Sequence, residues 1–389
     1  MMYLQFEAIL LERNLMQMNE HKLLLKGGRV IDSSRDLNGY FDVLIIDGRI
    51  DKVEKDMGQC LTDEILDVSG MYVVPGLIDM HTHVYPKETN LGIFPDSIGV
   101  DMGVHTVVDA GSAGALNFEN FRDNVIKKAK TEVYEFLNIS KYGLKYGKGE
   151  LSDLKNLDFN LNRQVIAKNR EYIKGIKARA SASVVGEMGI TPIKMAKDFA
   201  KEMGLPLMVH IGNAPPRLGE VLDILEKGDI VTHIYHGKPG GLFNPDGTVL
   251  KEAADAYGRG VIFDVGHGNA SFSFNVAEKA IKMGYKPITI STDLHIRNVN
   301  TSVRSLLLTM SKLLSLGLEA EYVLRCVTVN PAKILKLDKS ITPGNKADIA
   351  VLKIEEDPIE VQDSDKFTRI LQSHFDMKYM INTKNVTKF

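Results

Sequence analysis

Cysteine is scarce in this chain: Cys60 and Cys326 are the only two in 389 residues. Two thiols cannot build a disulfide framework, and their rarity fits a reducing compartment, so a cytoplasmic protein is expected. No unbroken apolar run is long enough to cross a bilayer. Neither sign of charge is in excess, since 48 lysines and arginines face 50 aspartates and glutamates, a formal net charge of −2. So even a balance offers no electrostatic footprint for nucleic acid or an anionic membrane, which leaves a small molecule as the expected partner. A homo-oligomer is compatible with this composition and is not specified by it. Internal repeats and low-complexity tracts are lacking, and so is a secretory signal. The opening MMYLQFEAILLERNLMQMNEHK is apolar in places, but Glu7 and Glu12 interrupt it. A signal needs a continuous apolar core behind a basic start. Residues 1–21 therefore read as an extension ahead of the domain pattern.

What is present is the composition of an ordinary globular protein, 44% apolar and 25% charged. The length exceeds one usual core, so a large domain with a smaller companion is expected. KLLLKGGRVIDSS and DVLIIDGRIDKV read as short strands punctuated by Gly27-Gly28 and Asp47-Gly48. NKADIAVLKI and MKYMINTKNV read the same way near the other end. The two β-rich ends predict one discontinuous β-sandwich module, residues 22–70 and 340–389. Between them, residues 71–339 alternate short apolar strands with amphipathic helical stretches such as Ile193–Met203, Leu218–Lys227 and Phe274–Met283. The candidate strands are Tyr72–Asp79, Val104–Ala110, Val133–Ile139, Tyr172–Ala178, Leu205–His210, Asp229–His233, Val261–Val265 and Pro287–Asp293. That count predicts an α/β fold, a (β/α)₈ TIM-type barrel. The longest insertion, Lys141–Arg170, falls between the third and fourth strands.

Metal-ligand residue types recur where these strands end. VVPGLID runs into His81-Thr82-His83, LMVHIG places His210, IVTHIYH places His233, and ITISTDLH places Asp293. The C-terminal ends of barrel strands converge on one mouth. Alternate residues of a strand face the same way, so His81 and His83 can grip one ion together. One histidine at a strand end is usually packing, and a buried Asp293 alone could be a cap or an ion-pair partner. All of them at the same end of different strands make a nitrogen and oxygen set suited to zinc or a similar divalent ion.

VVPGLIDMHTHVYP resembles the first-strand signature of the amidohydrolase superfamily. GVHTVVDAGSAG, GIKARAS, LPLMVHIGNAP, GDIVTHIYHGKPGGLF, FDVGHGNASFSF and NPAKILKL are similar to its deacetylase-like branch, whose members often carry the labels dihydroorotase or adenine deaminase. The resemblance runs from Lys22 to the C-terminus and implies two metal ions bridged by a lysine that CO₂ has carboxylated. YIKGIKARAS offers Lys174 and Lys177, and the family position matches Lys177. The resemblance then implies His81, His83, Asp293 and Lys177 on one metal, with Lys177, His210 and His233 on the other. It implies Asp293 as the proton carrier in hydrolysis of an amide or ester.

Four further residues are candidate substrate contacts. They are His267 in the GHG turn, His236 in the HGKPGG loop, Arg179 as partner for a substrate carboxylate or for an internal acid, and Tyr142. His105, at the start of a strand, is expected to be structural, and His295 to lie behind the ligands. The expected reaction is removal of an acyl group from a small N-acyl or O-acyl compound. Cyclic amide hydrolysis is the alternative, but dihydroorotases carry an arginine just after the paired histidines and HTHVYP has none. Deaminases of the superfamily use His-x-x-Glu where His210 is followed by IGNAP. A non-enzymatic relative would have lost ligands that this chain keeps.

Overall fold

The computed structural model describes residues 21–58, 62–383 and 385–389. Residues 1–20, nearly all of the expected extension, and Cys60 lie outside the described residues. The chain divides into two compact units. One is the chain up to Gly76 with Asp338–Lys353 and Met377–Phe389, and the other is Leu77–Leu337 with Ile354–Asp376.

The strands begin with β1 (Lys22–Asp32), β2 (Leu37–Ile46), β3 (Arg49–Glu54), β4 (Glu64–Asp67) and β5 (Tyr72–Pro75). Next come β6 (Ile78–Thr82), β7 (Thr106–Asp109), β8 (Glu132–Asn138), β9 (Ile173–Ala180), β10 (Leu207–Ile211), β11 (Ile230–Thr232) and β12 (Ile262–Asp264). The last are β13 (Asp348–Glu355), β14 (Ile359–Gln362), β15 (Thr368–Leu371), β16 (His374–Asn382) and β17 (Asn385–Lys388).

In the first unit an eight-stranded sheet runs β17-β16-β13-β5-β1-β2-β3, with β4 also on β1. Both chain ends contribute, and hydrogen bonds join all eight strands into one forked sheet. The fork lies on β1, whose Leu23–Lys26 pair with β4 and whose Arg29 and Val30 pair with β5. Between these halves the register against β2 shifts, from Leu25 to Gly28. Such a bulge inserts a residue, so Leu23 and Leu25 before it and Val30 after it enter the same core with Val43, Ile45, Val73 and Ile349. Gly28 is required there, because a Cβ would come within 2.5 Å of Val73 Cγ2.

The second unit is built on a seven-stranded sheet in the order β6 to β12, with each strand parallel to the next. Its strands are buried almost throughout, as expected where helices cover a parallel sheet. The helix Thr191–Met203 shows how: Ile193, Ala196, Phe199 and Ala200 form its buried stripe, and Gly204 in the left-handed region ends it.

The sequence expectations need three corrections. Tyr72–Asp79 is not one barrel strand but β5 and β6, in different sheets; beyond Pro75 the Gly76 N–H donates to Asp348 O, and the next residues belong to the other unit. Pro287–Asp293 is not a regular strand. It makes single parallel bridges from Thr289 to Asp264, while Leu294, the next residue, bridges to Thr82, so this stretch touches both edge strands. Its ladder is interrupted because the Asp79 carboxylate takes the Thr292 N–H and hydroxyl, and Asp293 turns into the left-handed region. Finally, Ile354–Asp376 belongs to the barrel-side unit rather than the terminal module. The hairpin β14–β15 is tied there by Phe274 N–H to Asp363 Oδ2, at 2.9 Å, and by Ser364 Oγ to Gly268 O, at 2.9 Å. Among the described residues no helix is long and apolar enough to cross a membrane.

Candidate active site

Parallel strands bring their C-terminal ends to one side. His81 lies in β6 with His83 just beyond it, Lys177 in β9 and His210 in β10; His233 follows β11 directly, and Asp293 sits on the bridging stretch. His233 (φ 72°) and Asp293 (φ 55°) both hold the left-handed backbone that side chains rarely adopt. Such conformations cost on the order of 1–3 kcal/mol and concentrate at functional sites.

The side chains make one continuous group. One ligand atom each from His81, His83 and Asp293 lie within 4.8 Å of one another, an arrangement that could hold a metal ion. Asp293 Oδ1 is 3.2 Å from His83 Nε2 and 3.5 Å from His81 Nε2. Lys177 Nζ is 3.2 Å from His81 Nε2. The His233 ring lies 5.0 Å from that of His81 and 4.5 Å from that of His210, centre to centre.

Hydrogen bonds behind the rings set their tautomers. Thr232 Oγ gives its proton to Asp264 Oδ2 at 2.7 Å, so at 2.9 Å it accepts from His81 Nδ1. That leaves the His81 Nε2 lone pair facing Asp293 and Lys177. His233 Nδ1 donates to Gly266 O at 2.6 Å, and its Nε2 is buried with no hydrogen-bond partner. A buried, unpaired imidazole nitrogen is costly unless something binds it, and a cation suits it. The donor set therefore fits divalent metal.

The electrostatics agree. Burial holds His81 and His210 well below the usual histidine range and His233 down to about 3, so the rings are neutral at pH 7. Burial alone would raise Asp293, but His83, with His233 and His295 nearby, brings it down to about 2. Burial lowers Lys177 to about 7, and among the described residues its amine has no ion pair; its contacts are His81 Nε2 and Met208 Sδ. Gly111 makes room for it, since a Cβ there would meet Lys177 Cγ at 2.7 Å.

The four substrate candidates fare unequally. Arg179 faces the same way as Lys177 and is the cross-strand neighbour of His210, but buried Glu150 from the insertion grips its Nε and Nη2. Its side chain is still 21% exposed. His236 is buried, and its Nδ1 accepts the Lys238 N–H of its own loop. His267 has both ring nitrogens engaged by Gly268 O and Lys312 Nζ. Tyr142 precedes a short 3₁₀ turn, its ring 5.5 Å from Tyr146. His105 is buried ahead of β7, and His295 lies 6.3 Å from His83, ring to ring. Sequence reasoning missed Thr232, Asp264, Glu150 and Lys312. Thr232 and Asp264 were findable, as the last polar residues of their strands; Glu150 and Lys312 carried no signal.

Comparisons with known proteins complete the picture. Residues 72–388 match the amidohydrolase family. A deacetylase of Brucella anthropi is 39% identical over 345 residues, 87% of this chain and 86% of that one. A solved structure described as an adenine deaminase superposes with a TM-score of 0.88 at 36% identity, covering 95% of this chain and all of the other. Another, described as a dihydroorotase, gives 0.86 at 35% identity over 94% of this chain and 97% of its own.

Proposed function

The chain belongs to the amidohydrolase family and is a hydrolase, and we propose that it removes an acyl group, acetyl in the simplest case, from a small N-acyl or O-acyl compound. The observation that carries the chemistry is the gathering of His81, His83 and His233 around ionised Asp293, with His233 Nε2 buried and unpaired. The choice of deacylation rests on the likeness to the Brucella anthropi deacetylase along most of both chains. It rests also on the missing arginine after His83 and the missing His-x-x-Glu after His210.

In this reading Thr289–Leu294 is the eighth position that completes a (β/α)₈ barrel. His81, His83 and Asp293 would hold one zinc ion and His210 and His233 a second, with Lys177 between them as its CO₂-derived carboxylate. An amine must be unprotonated to take up CO₂, and burial favours that form of Lys177. Divalent metal supplies water acidified toward neutrality and withdraws charge from a carbonyl oxygen. The protein does the rest. Asp293, ionised at neutral pH, accepts the proton of the attacking water and returns it to the leaving atom. Thr232 and Gly266 keep His81 and His233 in the tautomers that present Nε2. Arg179, partly exposed beside His210, is the candidate contact for the leaving portion of the substrate.

Cyclic amide hydrolysis is the second reading, favoured by the likeness to the dihydroorotase structure. Metal-loaded protein assayed on N-acetyl amino acids, O-acetyl hydroxy acids, dihydroorotate, hydantoin and adenine separates the two. Acetate release is expected. Efficient turnover of dihydroorotate or adenine, with no acylated compound hydrolysed, overturns the proposal.

A further inference from the structure

Lys312 lies in the last turn of the helix Leu306–Leu314 and is completely buried. A lysine in such a place needs a partner for each donor of its ammonium. Here the partners are not carboxylates. Nζ lies 2.8 Å from His267 Nε2, 2.5 Å from Ser302 O and 2.7 Å from Gln362 O. Three acceptors meet three donors, and they come from three separate segments: the turn after β12, the loop before the helix, and β14.

His267 is the link to the site. Its Nδ1 meets Gly268 O at 3.0 Å, and its ring stacks on Phe272 with centres 4.7 Å apart. The ring is therefore held at both nitrogens and on a face. On either side of it the turn touches a candidate ligand. Gly266 O takes the Nδ1 proton of His233. Gly268 passes so close to Asp293 that a Cβ would stand 2.7 Å from Oδ2, which confines that carboxylate to the side of His81 and His83. Both glycines are in the left-handed region, φ 47° and 52°, so small shifts of the turn would move both contacts together.

We propose that Lys312 is a positioning residue for the metal centre, acting through His267 on the Gly266–Gly268 turn that seats His233 and Asp293. The hairpin β14–β15 shares in this, since it offers Gln362 O to Lys312 and Ser364 Oγ to Gly268 O. The inference rests on the metal-dependent reading above and adds a residue that never touches metal or substrate.

Two measurements on the full chain test it. Zinc affinity is measured by competition with a chelator for the parent, Lys312→Met and Lys312→Gln. The His267 side chain is observed by ¹⁵N NMR of histidine-labelled zinc-loaded protein at pH 6, below the value of about 7 to which burial lowers Lys312. In the parent His267 is expected as the Nδ1–H tautomer alone. Lys312→Met is expected to weaken zinc binding at least about tenfold, the scale of lost outer-shell partners, and to leave His267 in mixed tautomers. Lys312→Gln, which keeps donors, should fall between. Zinc bound as tightly by Lys312→Met as by the parent overturns the proposal, whereas a parent that binds no zinc overturns the metal reading itself. If neither variant folds, the parent spectrum decides: an Nε2–H tautomer at His267 is incompatible with donation from Lys312 and refutes the link, and Nδ1–H supports it.

Discussion

Lys177 Nζ stands 3.2 Å from His81 Nε2, a buried amine facing the lone pair of a neutral imidazole. Neither group gains a charge partner from this contact. It becomes favourable once the amine carries a carboxylate and the imidazole a cation, and the first prediction follows from that.

Lys177→Ala should lose most of its metal and lower kcat by orders of magnitude. Short carboxylic acids added at high concentration should restore part of both, because a free carboxylate fits the vacated space. Metal analysis and turnover with and without added acid check this; full metal with parental turnover refutes the bridging role.

Asp293→Asn should keep the fold and at least one metal ion while kcat falls by about 10²–10⁴-fold, since the amide can offer an oxygen but cannot accept the proton. A rate near that of the parent would end the proton-carrier assignment.

Thr232→Val removes the acceptor for His81 Nδ1 and the donor to Asp264. His81 is then free to present the wrong nitrogen, and zinc affinity should drop about 10–100-fold. Chelator competition reads this directly, with Ser at the same position as the restoring substitution.

The pH dependence of stability has a definite sign in metal-free protein. Burial lowers Lys177 from its ordinary 10.5 to about 7, so between these values the unfolded chain binds more protons than the folded one. Stability should therefore rise as pH increases from about 7 toward 10. Lys312, lowered by burial to about the same value, adds to the rise. Lys177→Met should therefore make it shallower without abolishing it in urea titrations at several pH values; an unchanged slope would show that Lys177 does not contribute.

Much of this architecture was legible in order along the chain. Apolar runs of strand length mark β7 to β12 because a sheet covered on both faces needs nearly continuous hydrophobic strands. The His81-Thr82-His83 pair, His210 and His233 were legible because each stands at or just past the C-terminal end of its strand, and Asp293 because it ends an apolar run. Parallel strands bring such ends together whatever the loops do. The expected strands at Tyr72–Asp79 and Pro287–Asp293 misled for a common reason. Their apolar pattern is that of strands, but pairing is decided by what lies alongside: Asp348 O beyond Pro75, and the Asp79 carboxylate at Thr292.

The sequence by itself therefore determined which residues could carry the chemistry and at which end of the sheet they gather, since strand periodicity and parallel direction are local properties. Only the tertiary structure decided which of them remain available. His267 and Arg179 look alike in sequence as polar residues near strand ends. Yet Lys312 on a helix 45 residues later occupies the one's Nε2, and Glu150 from an insertion 29 residues earlier takes two nitrogens of the other. A hydrogen-bond partner so distant in the chain leaves no trace in local pattern, because it depends on where folding places both groups.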